Sequence, residues 1–583
     1  MELLNPSVAD PSDEEYFGQI IQPWHLALKG NNDHLLSFIA FTIVLLLRAF
    51  DSVSCFRQQG IRLCKTLLRK RETKLLSTCL ALPRGKAQII SLHTQILTEL
   101  VSFDAGAVAW LVFAQRDNLL DYRTLTRNLR LKEPHAASPL SKNASRSVRS
   151  DACLYILASL RFQSTSAKIY ILKLRSLVQA FFDGIESDSA DLVKEILYVT
   201  KTCVMLDTSL SKYDKGVIWT VSTLKSVVNV LHNHKKEAET ETEHEEKQKL
   251  ALELIIWVCK VPEAGLLVAG TSWHSPEGHI FEELIKEDTD PLRLIEVELY
   301  SLDRNADSTR KVAIKNRILG EFIMYLRPYA KAEDCRILLE TFMAAPELIA
   351  YYFYRKSIFT HEPKLSSTWL GYTSFIQSVA KLPICALAED WPPPPTYLAI
   401  ESILPLPFTQ KNLRRCLNHS SSLVRFYATQ TLVSALRKLR EVRNKYLSFK
   451  SSRFSTIWKK AARQLLVVVS QRCPDMRDAI AAFKSTSPYS LIQFEAASAL
   501  IDLYFEVIPQ AAMIEHFDMS MILCNALQDY PNRNSLERQL RYARLHRLAN
   551  LAIYSSSMNW FSKTSMFYIQ ILIFLCADCK KNR

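Results

Sequence analysis

Along most of the chain apolar residues recur every three or four positions, the period at which side chains share one face of an α-helix. Ile318, Leu319, Phe322, Ile323 and Leu326 form one such stripe, with Arg317, Glu321 and Arg327 off it. Ile337, Leu338, Leu339, Phe342 and Met343 form the next. Pro346 then stands where the first turn of a further helix tolerates it, ahead of Leu348, Ile349 and Tyr352. The predicted unit is helix, short break, helix.

One pattern occurs in three places. Val148-Arg149 is followed by Ala152 and Ile156, Val424-Arg425 by Ala428 and Leu432, and Ile492-Gln493 by Ala496 and Leu500. Each set places an aliphatic residue, a small residue four on and an aliphatic residue eight on along one helix face. The alanine allows a second helix to cross closely. The long polar side chain sits at the edge of that face, within reach of a neighbouring turn. The second helix of HEAT repeats, whose period is about 40–47 residues, has this character. The expected fold class is therefore all-α, a HEAT/armadillo-like helical solenoid, although no regular period runs through the whole chain.

Three segments break the pattern. Leu131–Ser147 is poor in apolar residues and carries Pro134 and Pro139, which predicts a loop. His232–Lys249 is rich in glutamate and lysine, with no apolar residue beyond Ala238 until its end, and reads as a solvated helix or a charged linker. Trp391-Pro392-Pro393-Pro394-Pro395 must run extended. The expected organisation is a helical-repeat region at 1–231, a Glu/Lys-rich linker at 232–249 and a second helical-repeat region at 250–555. An atypical tail follows at 556–583.

Composition sharpens this picture. Only 12 of 583 residues are glycine, too few for the tight turns and phosphate cradles of barrels, sandwiches and nucleotide-binding folds. The 13 cysteines are scattered singly behind an acidic, polar N-terminus, a usage that fits a reducing compartment, cytosol or nucleus. Two apolar runs, Leu35–Leu47 and Met566–Ala577, fall short of the roughly 20 residues that a spanning helix needs. The first is expected to be a buried helix and no membrane partner is expected.

Candidate catalysis is sparse. Phosphate-binding glycine loops and a His-Glu-x-x-His zinc helix are absent from the sequence. Cys576-Ala577-Asp578-Cys579 lacks the second pair that a tetrahedral zinc site requires. His232 and His234 read as a solvated face, and paired carboxylates such as Glu282 and Glu283 carry no mark of a general acid. No catalytic residue, metal, cofactor or small-molecule ligand is expected.

Charge gives the stronger signal. The formal net charge is +14, which suits a polyanionic partner. Within the basic segment 411–463, the stretch from Arg414 to Arg463 holds 13 Lys or Arg against the single acid Glu441. The candidate RNA-binding residues are Arg414, Arg415, Arg425, Arg437, Lys438, Arg440, Arg443, Lys445, Lys459 and Lys460. Phe449, Phe454 and Trp458 lie among them, either to stack on unpaired bases or to face the core. A second basic stretch runs from Arg62 and Lys65 through Arg69 to Lys74, with three of its charges expected on one helix face.

Further matches are ordered along the chain. They include Leu63–Leu68, Ile90–Phe103 with Asp104-Ala105-Gly106, Asn118–Leu129, Leu172–Phe182 and Ile196–Val204. Beyond these stand Leu326-Arg327-Pro328, Ala345-Pro346-Glu347-Leu348, Glu362-Pro363-Lys364-Leu365 with Trp369, Ile403-Leu404-Pro405 and Arg472-Cys473-Pro474-Asp475. In these, across most of residues 31–510, the chain resembles the nucleolar pre-ribosomal-associated protein one family. They are packing and turn residues, with no catalytic signature among them.

The resemblance implies a non-enzymatic nucleolar factor of early pre-60S particles. Such a factor supports pre-rRNA processing and large-subunit assembly beside other assembly factors, an RNA helicase among them. Members of that family are longer, so the chain is expected to be a fragment or truncated reading, and the residues from about Ser555 to be a mispredicted end. The competing expectation is a HEAT-type adaptor for protein cargo in nuclear transport or trafficking, against which the basic balance speaks.

Overall fold

The helical period is realised as helix. The computed structural model describes residues 17–119, 121–131, 147–235, 239–273, 312–356, 361–486, 490–512, 522–523, 526 and 535–554, and among them regular structure is helical throughout. The chain divides into two compact units, Met1–Leu267 and Val268–Arg583.

The helices that organise the first unit are α1 (Asp33–Ser52), α2 (Arg57–Leu67), α3 (Lys70–Leu80), α4 (Ala87–Ser102), α5 (Tyr122–Leu129), α6 (Val148–Phe162), α7 (Arg175–Phe182), α8 (Ala190–Val199), α9 (Val221–His232) and α10 (Glu241–Lys260). They stack in two rows. In one row α1 packs on α4, α4 on α6, α6 on α8 and α8 on α10; in the other α5 packs on α7 and α7 on α9. A residue along either row thus meets mainly its immediate neighbours, as helical hairpins do when each covers the apolar face of the next.

The second unit repeats the scheme. Its helices are α11 (Arg317–Ile323), α12 (Ala332–Ala344), α13 (Glu347–Arg355), α14 (Ser367–Lys381), α15 (Thr396–Ile403), α16 (Gln410–Leu417), α17 (Ser422–Ser448), α18 (Ser455–Arg472), α19 (Met476–Lys484), α20 (Leu491–Val507), α21 (Pro509–Ala512) and α22 (Ser535–Ala552). One row runs α11, α13, α15, α18 and the other α12, α14, α17, α20, α22, each helix packed on the next. Pro346 caps α13, and Trp391–Pro395 runs without helix, with Pro392–Pro395 buried. Of the stripe from Ile318 to Leu326, Ile318 is 41% exposed and the other four are buried, although the helix ends at Ile323.

The threefold pattern is realised in two of its three places. Val148, Ala152 and Ile156 are buried on α6, and Val424, Ala428 and Leu432 on α17. On α20 Ala496 and Leu500 are buried, but Ile492 is 68% exposed, because it lies in the first turn, before the helix meets its neighbours. Arg149 reaches the neighbouring turns most fully. Its guanidinium donates to the Leu129 carbonyl at the end of α5, to Ala180 and Phe181 at the end of α7, and to both oxygens of Asp188 at 2.7 and 2.8 Å. Helix ends leave carbonyls without partners, and one buried side chain satisfies two such ends here. Arg425 donates to the carbonyls of His419 and Ser420 just ahead of its own helix.

Packing decides two expectations. Residues 241–249 take the helical alternative: α10 starts at Glu241, and Thr240 and Glu243 close a reciprocal cap at its N-terminus. Lys247 and His244 are buried on Glu239, and the two compact units part after Leu267. The sequence Leu35–Leu47 lies within the longer α1, which is apolar and long enough to cross a membrane by length and composition. Only one face is buried, through Leu36, Ile39, Ala40, Ile43, Val44 and Leu47, while Phe38, Phe41 and Leu45 are exposed. The tail 556–583, the carboxylates Glu282 and Glu283 and most of Leu131–Ser147 lie outside the described residues.

Candidate nucleic-acid interface

The basic segment folds mainly as two helices. In α17 the stripe Val424, Ala428, Leu432, Leu436, Leu439, Val442 and Tyr446 faces inward, and the 27-residue run contains neither glycine nor proline to end it. In α18 the inward stripe is Ile457, Trp458, Ala462, Leu465 and Val469. The positively charged positions between these stripes are directed by the helical turn, and the structure sorts the ten candidates into groups.

Arg437, Lys445, Lys459 and Lys460 are exposed, and Arg443 is half-buried. Arg414, Arg415 and Arg440 are also near the surface but pair with Asp478, Glu362 and Glu506 at 3.3, 3.0 and 2.8 Å. The Arg415 and Arg440 pairs are exposed and worth about 0–1 kcal/mol, so a phosphate can compete for these two arginines, whereas the Asp478 carboxylate that faces Arg414 is buried. Arg425 is held by the turn before α17, as described above.

Lys438 departs from the expectation. It is 3% exposed, and its Nζ donates to the Val379 carbonyl at 3.2 Å and the Ser402 hydroxyl at 2.7 Å. Burial lowers its ammonium from an ordinary value of 10.5 to about 7. Lys438 therefore joins α17 to α14 and α15 and cannot touch RNA.

Of the two readings of the interleaved aromatics, the core one is realised. Phe449, Phe454 and Trp458 are buried, and Trp458 Nε1 donates to the Trp391 carbonyl at 3.2 Å. The cations instead cover ring faces from outside, Lys445 at 5.2 Å from the Phe449 centroid and Arg453 at 4.6 Å from that of Phe454. In the second basic stretch the helix stops at Leu67. Arg62 and Lys65 belong to α2, Lys70, Arg71 and Lys74 to α3, and the single helix face expected there does not form.

A cleft that sequence reasoning missed lies between α17, α18 and the α20–α21 junction, lined by Arg443, Lys459 and Arg463, by Leu447, Leu466 and Val467, and by Ile508, Pro509 and Gln510. The i, i+4 spacing of Lys459, Arg463 and Val467 was its one legible sign. Elsewhere, the buried thiols of Cys79, Cys153, Cys416 and Cys473 are each pushed up to about 12 by desolvation, which suppresses the thiolate that a nucleophile needs. No group of three or more His, Cys, Asp or Glu among the described residues is placed to hold a metal ion.

Stacked helices that carry exposed cations on α17 and α18 define an all-helical protein. Residues 17–372 match the family described as ribosome 60S biogenesis N-terminal, and the chain belongs to that family. It is also 32% identical over 141 residues to nucleolar pre-ribosomal-associated protein 1 of Saccharomyces cerevisiae, a match over 23% of this chain and 8% of that protein. The chain thus spans a small part of its curated relative's length. The family match ends before α16, so the basic helices lie outside the matched residues.

Proposed function

We propose that the chain acts as a non-enzymatic scaffold in early assembly of the large ribosomal subunit, in the nucleolus, supporting pre-rRNA processing. The observation that carries this reading is membership of a 60S biogenesis family over residues 17–372. In this reading the two-row stacking is a HEAT/armadillo-like solenoid, whose long surface meets pre-rRNA and other pre-60S factors, an RNA helicase among them. The exposed cations of α17 and α18 supply the phosphate contacts, since Lys and Arg release condensed counterions on binding.

The test is crosslinking of the tagged chain to RNA in cells, followed by sequencing of the recovered RNA. Pre-rRNA reads and nucleolar concentration are expected; a nuclear-rim or vesicular pattern without rRNA reads would overturn the proposal in favour of a cargo adaptor.

A further inference from the structure

The cleft bounded by α17, α18 and the α20–α21 junction combines features that a phosphate-binding surface does not need. It encloses about 410 Å³ and opens to solvent. Its cations are Arg443, Lys459 and Arg463, none of which makes an ion pair or hydrogen bond among the described residues, whereas Arg440 on the same helix is paired with Glu506. Between them stand Leu447, Leu466 and Val467, and Val467 is 52% exposed. Apolar surface kept in water at the centre of a charged rim is what the core of a protein interface looks like before its partner arrives. A nucleic-acid backbone would satisfy the cations and leave the aliphatic floor wet.

The floor also has a direction. On α18 the lining runs from Lys459 to Ser470, which at 1.5 Å per residue is roughly 16 Å, or about three turns of a helix laid alongside. Apolar anchors on such a helix recur at i, i+3 or i+4 and i+7. Carboxylates on either side of that stripe would reach Arg443 across the cleft and Lys459 and Arg463 along it.

We propose that this cleft docks an acidic segment of a partner protein, with aliphatic or aromatic anchors along one face set between carboxylates. The inference rests on the apolar floor; its cations Arg443, Lys459 and Arg463 also belong to the basic surface of the RNA reading, so the uncharged substitutions at Val467 and Leu447 separate the two.

Random 16-residue peptides displayed on phage are selected on the full chain and counter-selected on the double variant Arg463→Glu, Val467→Asn. Enriched peptides are then measured by fluorescence anisotropy. Selected sequences are expected to combine Asp or Glu with helically spaced Leu, Ile or Phe, and to bind the double variant at least tenfold more weakly. Val467→Asn alone, which changes no charge, is expected to weaken them severalfold while the circular dichroism melt stays in place, and Leu447→Asn provides a second such variant. A selection without an acidic–apolar consensus overturns the proposal, as do peptides indifferent to both neutral variants. A 20-residue oligouridylate whose affinity falls tenfold in Val467→Asn would instead give the cleft to RNA.

Discussion

Arg149 uses its guanidinium entirely inside the protein. Five hydrogen bonds leave it, to two helix ends and to Asp188, so its removal strands carbonyl groups and a buried carboxylate together. Arg149→Leu is expected to cost about 3–5 kcal/mol, read from the urea midpoint of the full chain. Adding Asp188→Leu should recover part of that loss, because the unpaired charge goes too; a double variant as unstable as the single one would count against the account. Lys438 makes a pH prediction. With the folded value near 7 and the ordinary value at 10.5, the unfolded chain binds more protons between them, so this lysine makes stability rise with pH across that window. Below about pH 7 its full penalty applies. Buried thiols pull the other way above their ordinary value of 9.0, since they stay protonated in the fold. The rise is therefore best read from pH 7 to 8.5 as the difference between the parent and Lys438→Met, which should lack it. At this scale the sequence was only half legible. Arg437 and Lys438 are neighbours of like charge, and one turn of 100° decides that the first meets water and the second the core.

The helices themselves were the most legible element. A stripe at helical spacing predicts a helix wherever it runs, and α17 and α18 follow theirs from end to end. Where the stripe was absent the reading left a choice between a solvated helix and a charged linker. Residues 241–249 carry few apolar groups, yet they form the first turns of α10, because Thr240 and Glu243 cap it and because Lys247 finds Glu239 at 2.8 Å. Thr240→Ala is expected to destabilise this end by about 1 kcal/mol and to hasten amide exchange over 241–249. Equal exchange in both proteins would mean that packing alone holds the turn.

The division of the whole chain followed packing rather than composition. Leu254, Ile255 and Val258 of α10 are buried, and the helix packs on both α8 and α9. A chain ended at Leu231, before α10, would expose the faces that α10 covers. Two fragments should therefore differ: residues 1–267 should fold cooperatively with native helical circular dichroism, whereas residues 1–231 should aggregate or melt without a transition. For the basic surface, reversing Arg437, Lys445, Lys459 and Lys460 to glutamate should weaken RNA binding and flatten its dependence on salt. If all four touch single-stranded phosphates, the logarithmic slope should fall by about 3. An unchanged slope would remove these four residues from the interface.

Sequence alone determined the helical class, the excess of positive charge and the family, since periodicity, composition and ordered turn residues are properties of the chain read in one dimension. Tertiary structure decided which cations remain in water, where the units part and that an apolar cleft lies between two basic helices. Those outcomes depend on pairs such as Arg149 with Asp188 and Lys438 with Ser402, 39 and 36 residues apart, whose meeting is set by the packing of helices and not by any local pattern.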